Sequence, residues 1–324
     1  MIETAFTKLV GVARPLQAAG LPATTTEDLV AAVCEAGALG MVPAPLVSPP
    51  RLEATLDSLA RRTNRGVLGA NFLMPFLDAD CLEIAARKAR VVEFFYGEPD
   101  ADLVKRAAAH GALVSWQVGS LREALAAERA GCHFVIAQGC EAGGHVRGTI
   151  GVLPLLAQVV PAVRVPVLAA GGIATARDLA AVLAAGAAGA RLGTRFVCSR
   201  ESAAHRDYIA ALLGARAEDT CLTEAYSAGW PNAPHRVLRS AIDAASALPG
   251  ETAGEMVLEG QVVPVERWSV MSPTRETSGR IDAMALYAGE SVASIDAVMP
   301  AGEIVREICD GAEELLRSSA GLVR

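Results

Sequence analysis

The segment QGCEAGGHVRG, residues 138–148, places a histidine beside two glycines directly after an apolar run. The imidazole of His145 has an ordinary pKa of about 6.5, so it can accept or give a proton near neutral pH. Gly143 and Gly144 let backbone N–H groups approach a ligand closely. Two interpretations fit this pattern: a proton-transferring histidine at a ligand site, or a glycine turn that holds a solvent-exposed histidine.

Residues 169–196 have the pattern of a phosphate site. Gly171 and Gly172 follow one apolar run, and Gly193 and Thr194 follow the next. Glycines in such turns let backbone N–H groups reach a phosphate, and a helix N-terminus adds a favourable dipole. The hydroxyl of Thr194 adds a donor. Two turns of this kind, one strand apart, favour a phosphorylated ligand over ordinary tight turns.

Amide side chains end two other apolar runs. Asn71 lies in GANFLMPF and Gln117 lies in SWQVGS. Each amide offers a donor and an acceptor that suit a planar heterocycle. Taken alone, each is explained more simply as a polar residue at the end of a strand. The sequence has no His, Cys, Asp and Glu spacing typical of a metal site, and no Gly-x-Gly-x-x-Gly opens it for a dinucleotide.

Short apolar runs alternate with longer helical stretches, and these elements must position the residues above. Apolar runs without internal alternation predict strands buried on both faces, and intervening helices predict parallel pairing. The predicted strands are 14–20, 39–42, 67–73, 91–95, 112–118, 133–139, 165–171 and 189–193. The predicted helices are 27–36, 51–63, 78–89, 100–110, 120–130, 152–160, 175–185 and 301–319. Eight strands favour an α/β fold of the (β/α)8 TIM-barrel type, and a doubly wound open sheet is the alternative.

The composition of the sequence changes after about residue 215, where Pro, Gly and Ser become more frequent. This change predicts a barrel formed by residues 1–215 and 284–324, and a small substrate or cap domain of residues 216–283 inserted after the eighth strand. In such a barrel, the loops after the sixth, seventh and eighth strands place His145 and both glycine turns on one face. That face is where barrel enzymes keep their reactive groups.

The composition argues against several classes of partner. The chain has 324 residues, 52% of them hydrophobic, a formal net charge of -7 and a pI near 5.4. Nucleic acids and anionic membrane surfaces bind basic faces, so neither is expected as a partner. Seven cysteines without a Cys-x-x-Cys fit the reduced thiols of a cytoplasmic protein. The sequence shows neither a signal peptide nor an apolar run long enough to span a bilayer, so we expect a cytoplasmic monomer or homodimer.

Together with YAGESV (287–292), these motifs resemble those of the nitronate monooxygenase family, over nearly the whole chain. The resemblance implies a barrel with a small added domain, a bound FMN, and the oxidation of alkyl nitronates or nitroalkanes by O2. It implies that His145 is the catalytic base and that the glycine turns hold the FMN phosphate. The cofactor-binding residues that it implies are Asn71, Gln117, Gly144, Gly171, Gly172, Gly193 and Thr194.

The same motifs occur in the related FMN-dependent enoyl-acyl carrier protein reductases, which use NAD(P)H and a histidine at the place of His145. The Val-Arg-Gly-Thr that follows His145 and the segment GWPNAPHRVLR (229–239) resemble the monooxygenase branch more closely. An enoyl-thioester reductase is therefore the alternative function. A flavin- or phosphate-binding module without turnover is a third hypothesis, from a different class.

The chain departs from the family pattern in two places. Residues 16–25, LQAAGLPATT, lack the methionine that the family has in its first loop, and Glu290 stands where glutamine is commoner. Both departures concern the substrate more than the cofactor. The sequence leaves open the physiological substrate, the use of NAD(P)H, and the roles of Arg147, His235 and Glu290.

Overall fold

Strands and helices alternate along the chain in the structure, a computed structural model that describes residues 1–63, 67–258, 260–319 and 321. Residues 64–66, 259, 320 and 322–324, which fall within the predicted domain ranges, lie outside the described residues. The strands are β1 Leu16–Ala18, β2 Gly40–Pro43, β3 Leu68–Leu73, β4 Val91–Phe95, β5 Leu113–Val118, β6 Phe134–Gln138, β7 Gly144–His145, β8 Val167–Ala170, β9 Gly189–Leu192, β10 Thr220–Thr223, β11 His235–Leu238, β12 Thr252–Leu258, β13 Gln261–Glu266 and β14 Ser278–Gly279. The α-helices are α1 Ala5–Val10, α2 Glu27–Glu35, α3 Pro49–Arg62, α4 Ala79–Lys88, α5 Ala101–Ala108, α6 Leu121–Arg129, α7 Val152–Val159, α8 Ala176–Ala184, α9 Thr194–Val197, α10 Arg206–Leu213, α11 Arg239–Ser246 and α12 Ala301–Ser319. Short 3-10 helices lie at Met74–Phe76, Ala217–Asp219, Ile281–Ala283 and Glu290–Ser294.

Eight of the strands form one parallel sheet, in the order β1-β9-β8-β6-β5-β4-β3-β2. The two outer strands of this order also meet. The Ala18 N–H donates to the Leu39 carbonyl, and the Leu39 N–H donates to the Leu16 carbonyl, both at 2.9 Å. The sheet therefore closes into the predicted (β/α)8 barrel, and each of the eight predicted strands is confirmed.

The predicted helices are also found, and their sequences explain where several of them begin. Thr26, Asp78, Asp100, Ser120 and Thr175 are N-cap residues whose side-chain oxygens accept hydrogen bonds from backbone N–H groups of the first turn. The helix over 301–319 has its predicted bounds and packs against α8. None of the helices in the described part of the chain combines the length and the apolar character that crossing a bilayer requires.

The amino-terminal end of the barrel is closed by α1, a short helix that the sequence analysis does not predict. Phe6 and Val10 of this helix are buried against Leu39, Met41 and Phe134 in one apolar cluster. The rings of Phe6 and Phe134 meet edge to face, with centroids 5.4 Å apart. The interior of the barrel at its amino-terminal end is thus filled with apolar side chains.

Two small antiparallel sheets follow the barrel in the chain. In one, β10 pairs with β11, and β11 pairs with β7, a two-residue strand of the predicted histidine loop. In the other, β12 pairs with both β13 and β14. The division of the chain into a barrel and a cap domain of residues 216–283 stays a prediction.

We predict that Phe6→Ala destabilises the protein by about 3–5 kcal/mol, because the truncation leaves a cavity in a packed, fully buried cluster. Urea unfolding followed by circular dichroism measures this change. Val262→Ala, at a side chain that is 66% exposed, is the matched control and should leave the transition in place. A loss of less than about 1 kcal/mol in Phe6→Ala would show that α1 does not close the barrel in solution.

Candidate active site

A cavity opens at the carboxyl ends of the barrel strands. Six of the sequence-predicted site residues line it: Asn71, Gln117, Gly144, His145, Gly193 and Thr194. Its remaining walls come from the loops after β1 and β2 and from segments beyond the barrel, including Trp230, Met271 and Tyr287. The fold therefore brings residues from β3, β5, β7 and β9 to one place.

Polar atoms in and below this cavity lack hydrogen-bond partners among the described residues, and we call them unpartnered atoms. They are Gln17 Oε1, Asn71 Oδ1, Ser115 Oγ, both amide atoms of Gln117, His145 Nε2 and Arg191 Nε. Leaving one buried polar group unpaired costs about 1–3 kcal/mol, so native proteins rarely tolerate several together without a ligand or water. The unpartnered atoms mark this end of the barrel as a ligand site.

The imidazole of His145 stands on the cavity wall among aromatic rings. It stacks on Trp230 with centroids 3.8 Å apart, and the rings of Tyr96 and Tyr287 lie at 5.7 Å. Burial among these rings, with a smaller effect of His235, lowers the pKa of His145 to about 3. The imidazole is therefore neutral at pH 7 and keeps a nitrogen lone pair for a proton.

Two sets of hydrogen bonds fix the backbone around His145. The Gln138 side chain, at the end of β6, donates to the His145 carbonyl at 2.9 Å and accepts from the Arg147 N–H at 3.2 Å. On the other side, β7 pairs with β11, which places His145 opposite His235. The segment predicted as a loop is thus held as a short strand between the barrel and the second sheet.

Arg147 belongs to a network of ion pairs beside the cavity. Its guanidinium lies 2.8 Å from Glu123 Oε1 and 3.0 Å from Glu98 Oε1. Glu123 is buried, and its other carboxylate oxygen accepts from the Gly119 N–H at 2.8 Å. Arg147, whose role the sequence leaves open, is therefore paired with two carboxylates. We call the Arg147, Glu98 and Glu123 side chains the arginine clamp, because they tie the His145 segment to the loop after β4 and to the first turn of α6.

His235 and Glu290, whose roles the sequence left open, both have partners. The Nδ1 of His235 donates to the Ala233 carbonyl at 2.8 Å, and its Nε2 accepts from the Tyr226 N–H at 3.2 Å. Burial lowers the pKa of His235, so it is a neutral, satisfied histidine of the second sheet. Glu290 lies 3.2 Å from Arg236 and is paired with it.

The two predicted glycine turns have different surroundings. Gly193 and Thr194 face the cavity, and the Thr194 hydroxyl oxygen accepts from the Gly289 N–H at 3.0 Å, which leaves the hydroxyl proton free to donate. Gly171 and Gly172, with φ of +97° and +69°, do not line the cavity and pack under residues 139–142. A Cβ on Gly171 would come within 3.1 Å of the Ala142 nitrogen. The turn after β8 therefore supports the loop after β6, and its role at a phosphate stays a prediction.

Several residues of the site escaped the sequence analysis. Gln17, Glu93 and Arg191 form a buried polar group inside the barrel, and the aromatic side chains around His145 come from distant segments. Glu93 in VVEFF and Arg191 in GARLG carry a signal that was available, because a charge inside a buried strand must find a partner. Nothing in the local sequence of Trp230 or Tyr287 indicates that they meet His145.

The donor set fits a flavin. The Asn71 Oδ1 and both amide atoms of Gln117 are unpartnered and suit the donors and acceptors of a planar heterocycle. The Thr194 hydroxyl, with Gly144 and Gly193 on the cavity wall, suits a phosphate. Within the described ranges, no group of three or more His, Cys, Asp or Glu side chains is arranged to hold a metal ion. The amides and the glycine turn together suit an organic ligand that has a planar part and a phosphate.

Comparisons with known proteins agree with this description. Residues 78–311 match the family described as nitronate monooxygenase. The chain is 32% identical to the (3aS,4S,5R,7aS)-5-hydroxy-7a-methyl-1-oxo-octahydro-1H-indene-4-carboxyl-CoA dehydrogenase of Rhodococcus jostii, and the match spans 74% of this chain and 66% of that protein's length.

Solved structures resemble it along its whole length. FabK from Thermotoga maritima is 27% identical, with a TM-score of 0.81 and 100% of both chains covered. Nitroalkane oxidase from Streptomyces ansochromogenes is 28% identical, with a TM-score of 0.78 and coverage of 98% of this chain and 100% of that one.

We predict that Arg147→Met lowers the free energy of unfolding by about 1–3 kcal/mol, because it removes the cation that lies 2.8 Å from the buried Glu123 carboxylate. Arg122→Met is the matched control: Arg122 contacts Glu98 and lies 3.8 Å from Glu123, but its side chain is 67% exposed, so we expect no measurable change. The double variant Arg147→Met/Glu123→Gln should recover part of the loss. Urea unfolding measures all three, and equal effects of the Arg147 and Arg122 substitutions would contradict the arginine clamp.

Proposed function

Because the chain belongs to the nitronate monooxygenase family and is a flavin-dependent oxidoreductase, we propose that it uses FMN and O2 to oxidise alkyl nitronates and nitroalkanes, with His145 as the general base. One observation carries this proposal: a neutral imidazole with an unpartnered Nε2 stands on the wall of the cavity. The family match and the likeness to a nitroalkane oxidase support the class of substrate.

Residues of this chain would hold FMN at both of its ends. Asn71 and Gln117 would bond the ring, and Gly144, Gly193 and Thr194 would face the phosphate end, with Gly171 and Gly172 assigned to the phosphate by the same proposal. Bound FMN supplies an acceptor for substrate electrons and a route for them to O2. The protein contributes binding, orientation and the movement of protons.

His145 would remove the α-proton of a neutral nitroalkane. The low pKa of His145 keeps the imidazole unprotonated before substrate binds. Once the proton has moved, the imidazolium lies beside a newly formed nitronate anion, and that negative charge favours the protonated form. A substrate that enters already as the nitronate needs no base, so His145 would only orient it.

A second candidate function, the reduction or oxidation of an acyl thioester, is favoured by a groove that continues from the cavity. Pro22, Ala23, Pro45, Leu46 and Met271 line both spaces. Beyond them the groove runs between α3 and β12, with threonine hydroxyls and apolar side chains along its walls. A small nitroalkane does not need this length, whereas the long arm of a thioester does. The Rhodococcus jostii dehydrogenase, which carries carboxyl-CoA in its name, supports the same class.

We predict that His145→Ala retains FMN but loses about 10²- to 10⁴-fold in kcat/KM for nitroethane, the range typical of a general base. The loss on pre-formed ethyl nitronate should be no more than about tenfold, since that substrate has already given up the acidic α-proton of nitroethane. Oxygen uptake measures both rates. His110→Ala is the control, because His110 is an exposed histidine that is distant from His145 in the sequence. Equal losses on the two substrates would contradict the base role.

A substitution in the groove distinguishes the two candidate functions. We predict that Leu46→Trp, which fills the junction between cavity and groove, raises KM for a thioester by about tenfold, the equivalent of about 1.4 kcal/mol of binding. Activity on propionate 3-nitronate should not change. Leu153→Trp, at another exposed leucine, is the matched control.

The same holoenzyme is mixed anaerobically with propionate 3-nitronate and, separately, with NADPH followed by crotonyl-CoA. Bleaching of the flavin by the nitronate alone supports the monooxygenase. Bleaching by NADPH, reversed by crotonyl-CoA, would replace it with the thioester reductase.

A further inference from the structure

A buried ion pair lies inside the barrel, and the proton transfer proposed for His145 does not use it. Arg191 Nη2 lies 2.8 Å from Glu93 Oε1, and the Glu93 side chain is fully buried. The other oxygen of Glu93 accepts a hydrogen bond from Gln17 Nε2. Strand register places Gln17 beside Arg191 and Asn71 beside Glu93, and the contacts of Glu93 with Arg191 and Gln17 join the two pairs across the barrel.

The pair presents only its cation to the cavity. Arg191 lines the cavity, whereas Glu93 does not, and both carboxylate oxygens of Glu93 are already engaged. The Nε of Arg191 is one of the unpartnered atoms defined above. The Arg191 side chain is 12% exposed, and a buried guanidinium N–H such as this one is normally bonded, so a ligand is the group that completes it.

The depth of Arg191 indicates which part of a flavin it meets. Arg191 precedes Gly193 by two residues on β9, which places it about 7 Å deeper in the barrel than the glycine turn at the cavity mouth. The phosphate end is assigned to that mouth, at Gly193 and Thr194. Asn71, assigned to the ring, is the register partner of Glu93, the residue that Arg191 contacts.

We propose that the Glu93–Arg191 pair is a charge-tuning site for the flavin ring: Arg191 donates from Nε to the ring and favours its reduced form, and Glu93 limits this effect. The inference rests on the proposed binding of FMN. Reduction of the ring by two electrons with uptake of one proton leaves it with one negative charge, which a nearby cation stabilises. Arg191 would thus contact the cofactor directly, and Glu93 would be a positioning residue that acts through Arg191; neither takes part in proton transfer.

The test is the midpoint potential of bound FMN in the holoenzyme, measured by anaerobic titration against a reference dye. Glu93→Gln removes the anion and keeps the bond to Gln17, so the preference for reduced over oxidised FMN should rise about tenfold. For a two-electron couple this is a shift of about 30 mV to more positive potential. Glu93→Gln/Arg191→Gln removes both charges without stranding a buried carboxylate, and its potential should fall below that of the wild type.

Arg14→Gln/Asp310→Asn is the matched control, because it removes an ion pair at 2.5 Å that lies outside the cavity. Its potential should equal that of the wild type. If every variant binds FMN with the same midpoint potential, this inference is overturned and the proposed function is not. If Glu93→Gln/Arg191→Gln keeps the wild-type potential but loses affinity for FMN and not for riboflavin, the inference is overturned in favour of a contact between Arg191 and the phosphate. If the wild-type chain binds no FMN, as judged by flavin fluorescence, the proposed function fails as well.

Discussion

A closed barrel of eight parallel strands encloses an interior that side chains must fill, and this chain fills it with apolar side chains only at one end. At the amino-terminal end, Phe6 of α1 packs on Phe134 and completes an apolar cluster. Toward the carboxyl ends of the strands, amides and charges replace the apolar side chains, and many of their polar atoms are unpartnered. Each such atom costs about 1–3 kcal/mol while it stays unpaired. A bound flavin would recover part of that cost, which couples the completion of the barrel to binding of the cofactor.

The position of His145 follows from this arrangement together with the sheets beyond the barrel. Gln138 bonds the His145 backbone from inside the barrel, β11 pairs with it from outside, and the arginine clamp holds the residues that follow. Trp230 covers the imidazole on one face. The same surroundings that hold the ring also desolvate it, so the orientation of the histidine and the low pKa of its imidazole have one cause. A neutral, fixed imidazole is the state that the proposed base requires.

Much of the fold was predictable because local patterns carry it. Apolar runs gave the eight strands, N-cap residues such as Thr26 and Thr175 marked helix starts, and the periodic stretch over 301–319 gave the last helix. The short helix α1 and the strand β7 were missed, because their structure depends on what they pack against: the barrel interior for α1, and β11 for β7. The family resemblance indicated a flavin, and the structure adds that Gly171 and Gly172 support a neighbouring loop and do not line the cavity.

By itself the sequence determined the alternation of strands and helices, the placement of Asn71, Gln117 and His145 at strand ends, and the presence of charges within buried strands. Only the tertiary structure decided which of these side chains meet. Closure of the barrel places Glu93 of β4 within reach of Arg191 of β9, the loop after β4 and the first turn of α6 supply partners to Arg147, and a segment about 85 residues further on delivers Trp230 to His145. The reason is physical: hydrogen bonds, ion pairs and burial depend on distance in space, and sequence separation does not determine that distance once a sheet closes on itself.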